Sequence, residues 1–268
     1  MPHRHGPIGL MGAMPEEIAG LLATPGAALE TVERGGRQYA VGRLFDHDVV
    51  VVHARCGKVA AATTATDLIV HFGCREIIFT GVAGRVATTL RIGDVVIATE
   101  LIQHDMDATP IFPRYEVPLT GRSRFAACPA RLPRATAAAE RFLGGPAIAQ
   151  LPDDVRRTLA LDTPVVHRGL ITSGDQFFAA AEDVARLRQE LPDAMCVEME
   201  GAAVAQVAAD FDVPVTVIRT ISDGADDDAP DDFWRALTAI GAAWSHGILE
   251  TMFAADAADG QPAVSPPT

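Results

Sequence analysis

Val197-Glu198-Met199-Glu200, followed by Gly201-Ala202-Ala203, places two carboxylates one residue apart where an apolar segment meets a helix-forming one. The pattern predicts a strand over residues 194–197 that leads directly into a helix. Glu198 and Glu200 would then lie at the helix N-terminus, where the backbone dipole favours negative charge. In open α/β sheets, ligands bind beyond the carboxyl ends of the strands. The stretch therefore predicts an α/β fold with a binding site at this sheet edge.

A third carboxylate follows another apolar run farther along the chain. Residues 213–221 are predicted to form a buried strand, and Ser222-Asp223-Gly224 comes directly after it. This strand would deliver Asp223 to the same region as Glu198 and Glu200. Acid groups that converge in this way indicate acid–base chemistry on a neutral or cationic substrate.

The composition argues against a nucleic-acid-binding or membrane protein. The chain has 268 residues, of which 49% are hydrophobic, enough for one large α/β domain or two small ones. Its formal net charge of −13 disfavours a nucleic-acid partner, which needs a basic face. The sequence has no run of about 18 apolar residues, so we expect no membrane span. The N-terminus also lacks the long apolar core of a signal peptide.

The four cysteines are expected to be small hydrophobic side chains rather than metal ligands or disulfide partners. They are Cys56, Cys74, Cys128 and Cys196, and none of them forms a C-x-x-C pair. Three of them, Cys56, Cys74 and Cys196, have apolar surroundings in the sequence. Buried free thiols are typical of a reducing compartment, so we expect a cytoplasmic protein.

Apolar strands alternate with helices along most of the chain. The predicted strands are residues 8–11, 41–44, 49–54, 76–80, 94–101, 165–172, 194–197 and 213–221. The predicted helices begin at Pro15 and span about 57–71, 134–142, 201–211 and 234–253. Because the strands are apolar throughout, we expect a buried and largely parallel sheet. Residues 8–253 would form a single domain, with disordered termini at 1–7 and 254–268 and surface loops through most of 110–162.

Two clusters have both a structural and a functional interpretation. Gly81-Val82-Ala83-Gly84 lacks the G-x-G-x-x-G and G-x-x-x-x-G-K-[ST] spacings of nucleotide-binding loops, and it predicts a tight turn after a strand. Its functional use would be close approach of the backbone to a flat ligand. His104-Asp105-Met106-Asp107 predicts a polar loop rather than a metal site, because the candidate ligands are too closely spaced and no partner set occurs elsewhere.

The remaining acidic residues have more than one interpretation. Glu16 and Glu17 fall in the first turn of a predicted helix, where glutamate ordinarily stabilises the helix. One of them could instead point across the sheet edge toward Glu200 and Asp223, and the pattern does not decide between the two. Asp226-Asp227-Asp228 predicts a solvated loop.

Seven segments, taken together, resemble one family. They are Gly12-Ala13-Met14-Pro15-Glu16-Glu17, Gly57-Lys58-Val59-Ala60-Ala61, Thr80-Gly81-Val82-Ala83-Gly84, Gly93-Asp94-Val95-Val96, Ser173-Gly174-Asp175, Val197-Glu198-Met199-Glu200 and Arg219-Thr220-Ile221-Ser222-Asp223. In this order, from about residue 8 to 253, they resemble the 5′-methylthioadenosine/S-adenosylhomocysteine nucleosidases of the purine nucleoside phosphorylase superfamily. The resemblance implies a three-layer α/β sandwich around a mixed central sheet, usually as a homodimer. It also implies hydrolysis of a ribosyl–adenine bond in a small-molecule nucleoside, with no metal or organic cofactor.

The resemblance also implies roles for individual residues. Glu17 matches the glutamate that acts on the nucleophilic water, and Arg219 matches a residue that helps to hold that water. Asp223 matches the acid that protonates the purine, with Ser222 beside it. The resemblance also implies substrate contacts by the Gly84 backbone, by Phe177 and Phe178 at the base, by Met199 at the sugar and by Glu200 at the ribose hydroxyls. We add Glu198 to these substrate-binding residues.

The implied reaction agrees with the chemistry of these acids. Breaking an N-glycosidic bond builds positive charge on the ribose and negative charge on the base. An acid near the base and carboxylates around the ribose therefore stabilise the transition state. Glu17 near the ribose would repel a phosphate anion, which favours hydrolysis over phosphorolysis.

Several positions depart from the family pattern. Val82 stands where a small hydroxyl residue is usual, Arg85 stands where glycine is usual, and Arg55-Cys56 replaces a small and apolar pair. The loop 107–113 keeps the Asp-x-Thr of a segment that reaches the neighbouring subunit's substrate tail in the family, and then diverges. The identity of the 5′ group is therefore left open.

Three other functions remain as alternatives. Two lie within the superfamily: a related nucleoside hydrolase of the aminodeoxyfutalosine type, and a purine nucleoside phosphorylase. The third is a non-catalytic nucleoside-binding module that kept the fold. A pure binder would not need Glu17, Glu200 and Asp223 together, which argues against the third.

Overall fold

The computed structural model describes residues 6–225 and 229–258. The strands in this part of the chain are β1 (Ile8–Gly12), β2 (Ala28–Arg34), β3 (Arg37–Leu44), β4 (His47–His53), β5 (Glu76–Arg85), β6 (Val95–Gln103), β7 (Arg124–Ala126), β8 (Val166–Ser173), β9 (Ala194–Glu198) and β10 (Val215–Asp223). The helices are α1 (Pro15–Leu22), α2 (Lys58–Val70), α3 (Leu132–Leu143), α4 (Asp153–Thr158), α5 (Ala181–Glu190), α6 (Gly201–Asp210), α7 (Ala229–Ala236) and α8 (Ala242–Ala258), and a π-helical turn, Leu237–Gly241, joins α7 to α8.

All ten strands belong to one sheet, part of which closes on itself. β5 pairs with both β9 and β10, and the pairings of β10 with β6, β6 with β8 and β8 with β9 complete a ring. From β5 the sheet continues through β1, β4 and β3 to β2. The register sets Gly84 opposite both Val197 and Asp223, and sets Ser173 opposite Glu198. The strand ends that carry the predicted acid groups therefore meet around Gly84.

The sheet is mixed, as the resemblance implies. Parallel pairing joins β1 to β4 and β5, β5 to β10, and β8 to β6 and β9. Antiparallel pairing joins β3 to β2 and β4, β6 to β7 and β10, and β5 to β9. The expectation of a largely parallel sheet is not confirmed. Apolar residues along a strand indicate that both of its faces are buried, but they do not indicate its direction relative to its neighbours.

Alternate residues of the central strands face two separate apolar cores. In β4, Val50 and Val52 belong to the core that includes residues of α2 and α6. Val49 and Val51 belong to the core that includes residues of α1, α3 and α8. This alternation follows the two-residue period of a strand. Burying each such side chain contributes about 1.5–3 kcal/mol relative to exposing it.

β5 is longer than the sequence predicts. Gly81-Val82-Ala83-Gly84, which we predicted as a tight turn, is the second half of this strand. The glycines serve close packing of side chains there. A Cβ atom on Gly84 would lie 2.9 Å from Asp223 Oδ1, and one on Gly81 would lie 2.8 Å from Arg219 Nη1. Strand glycines of this kind mark sites where other groups approach the backbone closely.

The predicted disordered termini are wrong in part. α8 continues through residues 254–258, because Asp256 is 2% exposed and pairs with the buried Arg131 and with Arg134. Arg131 in turn donates two hydrogen bonds to Glu76 at the start of β5. At the other end, the carbonyls of Gly6 and Pro7 accept hydrogen bonds from Arg75. Residues 1–5, 226–228 and 259–268, which include the predicted acidic loop, lie outside the described residues.

The other predicted strands and helices are present, with ends shifted by a few residues, except that a π-helical turn divides the helix predicted over 234–253. Sequence reasoning missed β2, β7, α4 and α5, which are short or largely exposed. Within the described residues, no helix is both long and apolar enough to cross a membrane.

Candidate active site

A cavity of about 320 Å³ opens where the ends of β5, β9 and β10 meet the segments that follow β1 and β8. All the predicted site residues except Arg219 line it, namely Glu17, Gly84, Phe177, Phe178, Glu198, Met199, Glu200, Ser222 and Asp223. Arg219 lies directly behind this lining, with 1% of its surface exposed. The fold therefore brings together every residue that the sequence singled out for catalysis or substrate binding.

Glu17 reaches from the first turn of α1 to the sheet. Its Oε2 atom accepts hydrogen bonds from the N–H groups of Ala13 (2.6 Å) and Met14 (2.9 Å), and its Oε1 atom accepts one from Val82 N (2.9 Å). Burial raises the pKa of Glu17, against the opposing effects of Arg219 and these three N–H groups. Glu17 thus stabilises its helix and also faces the cavity, while Glu16 does not line it.

A buried ion pair joins Arg219 to Glu198. Arg219 Nη2 lies 2.5 Å from Glu198 Oε2, and the guanidinium lies 4.1 Å from the ring centre of Phe79. The Glu198 carboxylate also accepts hydrogen bonds from Gly201 N (2.8 Å) at the start of α6 and from Ser173 Oγ. Because its oxygens bind the protein's own donors, Glu198 is better suited to positioning Arg219 than to the substrate contact that we expected.

Gly81 lies against both Glu17 and Arg219, and only a residue without a side chain fits there. A Cβ atom would clash with Glu17 Oε1 and would lie 2.8 Å from Arg219 Nη1, closer than packed atoms allow. Arg219 Nη1 is buried and has no hydrogen-bond partner in the described part of the chain. A carboxylate acceptor and a cationic donor therefore lie near each other at this edge of the cavity.

Glu200 presents a second carboxylate to the cavity. It is the N-cap residue of α6, and its Oε1 atom accepts a hydrogen bond from Gly57 N at 2.8 Å, just before α2. Burial and the neighbouring charge of Glu198 raise the pKa of Glu200, and Arg219 and the Gly57 N–H group oppose that rise. The acid can therefore change its protonation state nearer to neutral pH than an exposed glutamate.

Asp223 lies at the other end of the cavity, where β10 ends. Its Oδ2 atom accepts a hydrogen bond from Ser222 Oγ at 2.6 Å, and its Oδ1 atom accepts one from Ala225 N at 2.8 Å. The side chain is 2% exposed and lies against Gly84. These contacts fix the orientation of the carboxyl group, as a proton donor requires.

Aromatic side chains form one wall of the cavity. Phe178 is buried and packs edge-to-face on His104, with ring centres 5.2 Å apart. Phe177 is 42% exposed and contacts Phe233 (5.6 Å), which in turn contacts Trp234 (5.3 Å). A flat apolar ring would bury well against such a wall.

Sequence reasoning missed part of the lining, namely Ala13, Met14, Cys56, Val82, Ala83, Gln176, Val197, Ala225, Phe233 and Trp234. The adjacent aromatic pair Phe233-Trp234 was a usable signal, because α7 contains no other large hydrophobic side chain. The prediction that Cys56 is a buried hydrophobe is wrong, since it is exposed and its Sγ atom lies 3.4 Å from Met14 Sδ. The other three cysteines are buried and free.

His104-Asp105-Met106-Asp107 forms a loop whose first two residues have defined contacts. Asp105 forms an ion pair with Lys58 (2.6 Å), and the His104 ring packs over Gly174. Among the described residues, no group of three or more potential ligand side chains is arranged to hold a metal ion.

Comparison with known proteins places this architecture among the nucleoside-processing enzymes. The sequence model of the Phosphorylase superfamily matches residues 7–254. The 5′-methylthioadenosine/S-adenosylhomocysteine nucleosidase of Neisseria meningitidis, solved with methylthio-immucillin-A, is 32% identical with a TM-score of 0.79, over 91% of this chain and 97% of that one. The futalosine hydrolase of Helicobacter pylori is 31% identical with a TM-score of 0.78, and the match covers 94% of this chain and 99% of that one. The 5′-methylthioadenosine/S-adenosylhomocysteine nucleosidase of the same organism is 30% identical with a TM-score of 0.76, and the match covers 96% of this chain and 99% of that one.

Proposed function

This chain belongs to the phosphorylase superfamily, and from that premise we propose that it hydrolyses the N-glycosidic bond of 5′-methylthioadenosine, S-adenosylhomocysteine or both, releasing adenine. The observation that carries the proposal is that two buried carboxylates, Glu17 and Asp223, line the same cavity. Beside Glu17 lies Arg219 Nη1, which has no hydrogen-bond partner among the described residues, and this pairing of an acceptor with a cationic donor suits a water molecule held for attack. In this proposal residues 8–253 act as one domain with a three-layered fold, which the helices beside both apolar cores support.

The attacking water is held and activated beside Glu17. Glu17 accepts a proton from the water, and Arg219 donates a hydrogen bond to its oxygen. A carboxylate whose pKa is raised by burial is a better base near neutral pH than an exposed one. Glu198 holds Arg219 in place through their buried ion pair.

The substrate lies between Glu17 and Asp223. Glu200 accepts hydrogen bonds from the ribose hydroxyls, and Met199 packs against the sugar. Phe177 and Phe178 cover the base, and the Gly84 backbone lies along it. Asp223, oriented by Ser222, protonates the departing purine, so negative charge does not accumulate on the leaving group.

Water, rather than phosphate, is the proposed acceptor. Glu17, Glu198 and Glu200 all line the cavity, and Arg219 behind them is already paired with Glu198, so a phosphate anion would be repelled. We expect adenine and a free 5-substituted ribose as products, at a rate that does not depend on phosphate. Chromatography of reactions with and without phosphate checks this. A ribose 1-phosphate product would instead assign the chain to the phosphorylases.

The futalosine type of substrate is the second candidate, because a futalosine hydrolase is about as similar to this chain as the nucleosidases are. Competition between methylthioadenosine and aminodeoxyfutalosine at equal concentration distinguishes the two. We expect methylthioadenosine to be consumed first, since Met14, Cys56, Phe233 and Trp234 give the cavity a largely apolar lining.

The chain is proposed to act as a homodimer in the cytoplasm, where its free thiols remain reduced. Ile111 is 81% exposed, within the loop 107–113, and exposed apolar surface of this kind favours association. We expect light scattering to give a dimer at micromolar concentration, with the loop over the partner's substrate tail. Ile111→Ala should weaken binding of methylthioadenosine several-fold and leave adenine binding unchanged, whereas Leu22→Ala on α1 should change neither. A monomer, or an equal loss for both ligands, would contradict this arrangement.

A further inference from the structure

A chain of hydrogen bonds runs from the polar loop after β6 to the carboxylate of Glu200. Lys58 Nζ lies 2.6 Å from Asp105 Oδ1, and Asp105 Oδ2 accepts a hydrogen bond from Asp175 N at 2.9 Å. Asp175 Oδ1 accepts one from Lys58 N at 2.8 Å, and the neighbouring Gly57 N donates to Glu200 Oε1 at 2.8 Å. Three loops that are distant in sequence are thus joined at one edge of the cavity.

The backbone of Gly57 adopts the conformation that this chain of contacts requires. Gly57 has φ of +94°, and a Cβ atom there would lie 3.2 Å from Asp175 Oδ1. Asp175 caps the first N–H group of α2, so the Gly57 N–H group is left to point at Glu200. Both carboxylates lie at the N-terminus of a 13-residue helix, whose dipole favours their charged forms.

The loop that carries Asp175 is itself clamped. Gly174 N donates to the carbonyl of Glu198 at 3.1 Å, and the His104 ring lies so close to Gly174 that it leaves no room for a side chain. Asp105 and Lys58 close the open side of this loop. Their side chains are 32% and 16% exposed, so neither is buried deeply enough to serve the core.

We propose that Asp105 and Lys58 are positioning residues for Glu200, which fix Asp175 and the start of α2 so that the Gly57 N–H group orients the ribose-binding carboxylate. Neither residue lines the cavity, and both act through Gly57. This inference rests on the proposed function only in taking Glu200 as the group that binds the ribose.

A pH profile separates this role from simple stabilisation of the fold. The groups that face Glu200 are Glu198, Arg219, Glu17 and Cys56, and the Gly57 N–H group favours its charged form. A charged carboxylate accepts hydrogen bonds from hydroxyls more strongly than a neutral one. Activity should therefore rise with pH as Glu200 ionises, and weakening the Gly57 contact should move that rise to higher pH.

The test compares Asp105→Asn and Lys58→Met with Asp153→Asn, which changes an exposed carboxylate on α4 that pairs with the nearby Arg156. We expect each of the first two variants to lower kcat/KM for methylthioadenosine about tenfold, mainly through KM, while calorimetry gives unchanged adenine binding. A loss of this size corresponds to about 1.4 kcal/mol. The rise in the pH profile should shift to higher pH in both, and Lys58→Arg should restore wild-type behaviour.

The same substitutions in a Glu200→Gln background decide whether the effect passes through Glu200. We expect Asp105→Asn to cost less than twofold there, because the group that it orients no longer ionises. An equal tenfold loss in both backgrounds, or no loss in a folded variant, would overturn the proposal. If the wild type releases no adenine, the proposed function fails instead, and positioning is then tested by whether Asp105→Asn weakens binding of adenosine but not of adenine.

Discussion

Asp223→Asn is expected to reduce adenine release from methylthioadenosine by roughly 10²–10⁴-fold, the usual contribution of general acid catalysis. An amide cannot protonate the departing purine, so negative charge must develop on the base. The substitution keeps an oxygen for the Ala225 N–H group, which donates to Asp223 Oδ1 at 2.8 Å. The folded structure should therefore persist, with an unchanged circular dichroism spectrum and melting temperature.

A leaving group that departs without a proton provides the control for this role. A p-nitrophenyl riboside with the same 5′-methylthio group should lose far less activity than methylthioadenosine in the Asp223→Asn variant. Ser222→Ala, which removes the 2.6 Å hydrogen bond to Oδ2 and the 3.3 Å one to the Ala83 carbonyl, should have a smaller effect on the natural substrate. Equal losses for the two leaving groups would remove Asp223 from proton transfer and leave it a binding role.

The sequence was sufficient to predict the acid groups because each lies where a strand ends. Glu198, Glu200 and Asp223 follow apolar runs whose direction into a helix or turn is encoded locally. From the sequence we could predict only that these three acids converge on one edge of the sheet. The ring of strands through β5, with Gly84 opposite both Val197 and Asp223, depends on long-range pairing that no local pattern carries.

Where prediction failed, a distant contact had changed the local preference. Gly81 and Gly84 indicated a turn, yet they are strand residues whose missing side chains admit Arg219 and Asp223. The acidic and alanine-rich end of the chain indicated disorder, yet Asp256 continues the last helix because Arg131 lies within reach. Cys56 was predicted to be buried from its apolar neighbours in sequence, but the cavity opens beside it.

Glu17→Gln is expected to reduce hydrolysis by roughly 10²–10⁴-fold while methylthioadenosine still binds. Glutamine keeps the size of the side chain and one acceptor oxygen, but it cannot take a proton from water. Its amide nitrogen replaces one of the two oxygens that accept hydrogen bonds, so either the contact with Val82 N or the two contacts with Ala13 N and Met14 N are lost. We therefore expect a modest decrease in melting temperature beside the large decrease in rate.

Glu16→Gln is the matched control for this prediction, because the same change is made one residue away. Glu16 does not line the cavity, so its variant should release adenine at close to the wild-type rate. The comparison also tests how Arg219 contributes. In the Glu17→Gln variant, Arg219 Nη1 would still donate a hydrogen bond to the water, so the water would be bound but not activated. Single-turnover adenine release would then be slow, with little change in KM. A Glu17→Gln variant that releases adenine as fast as Glu16→Gln would show that water is activated elsewhere and would leave Glu17 without a catalytic role.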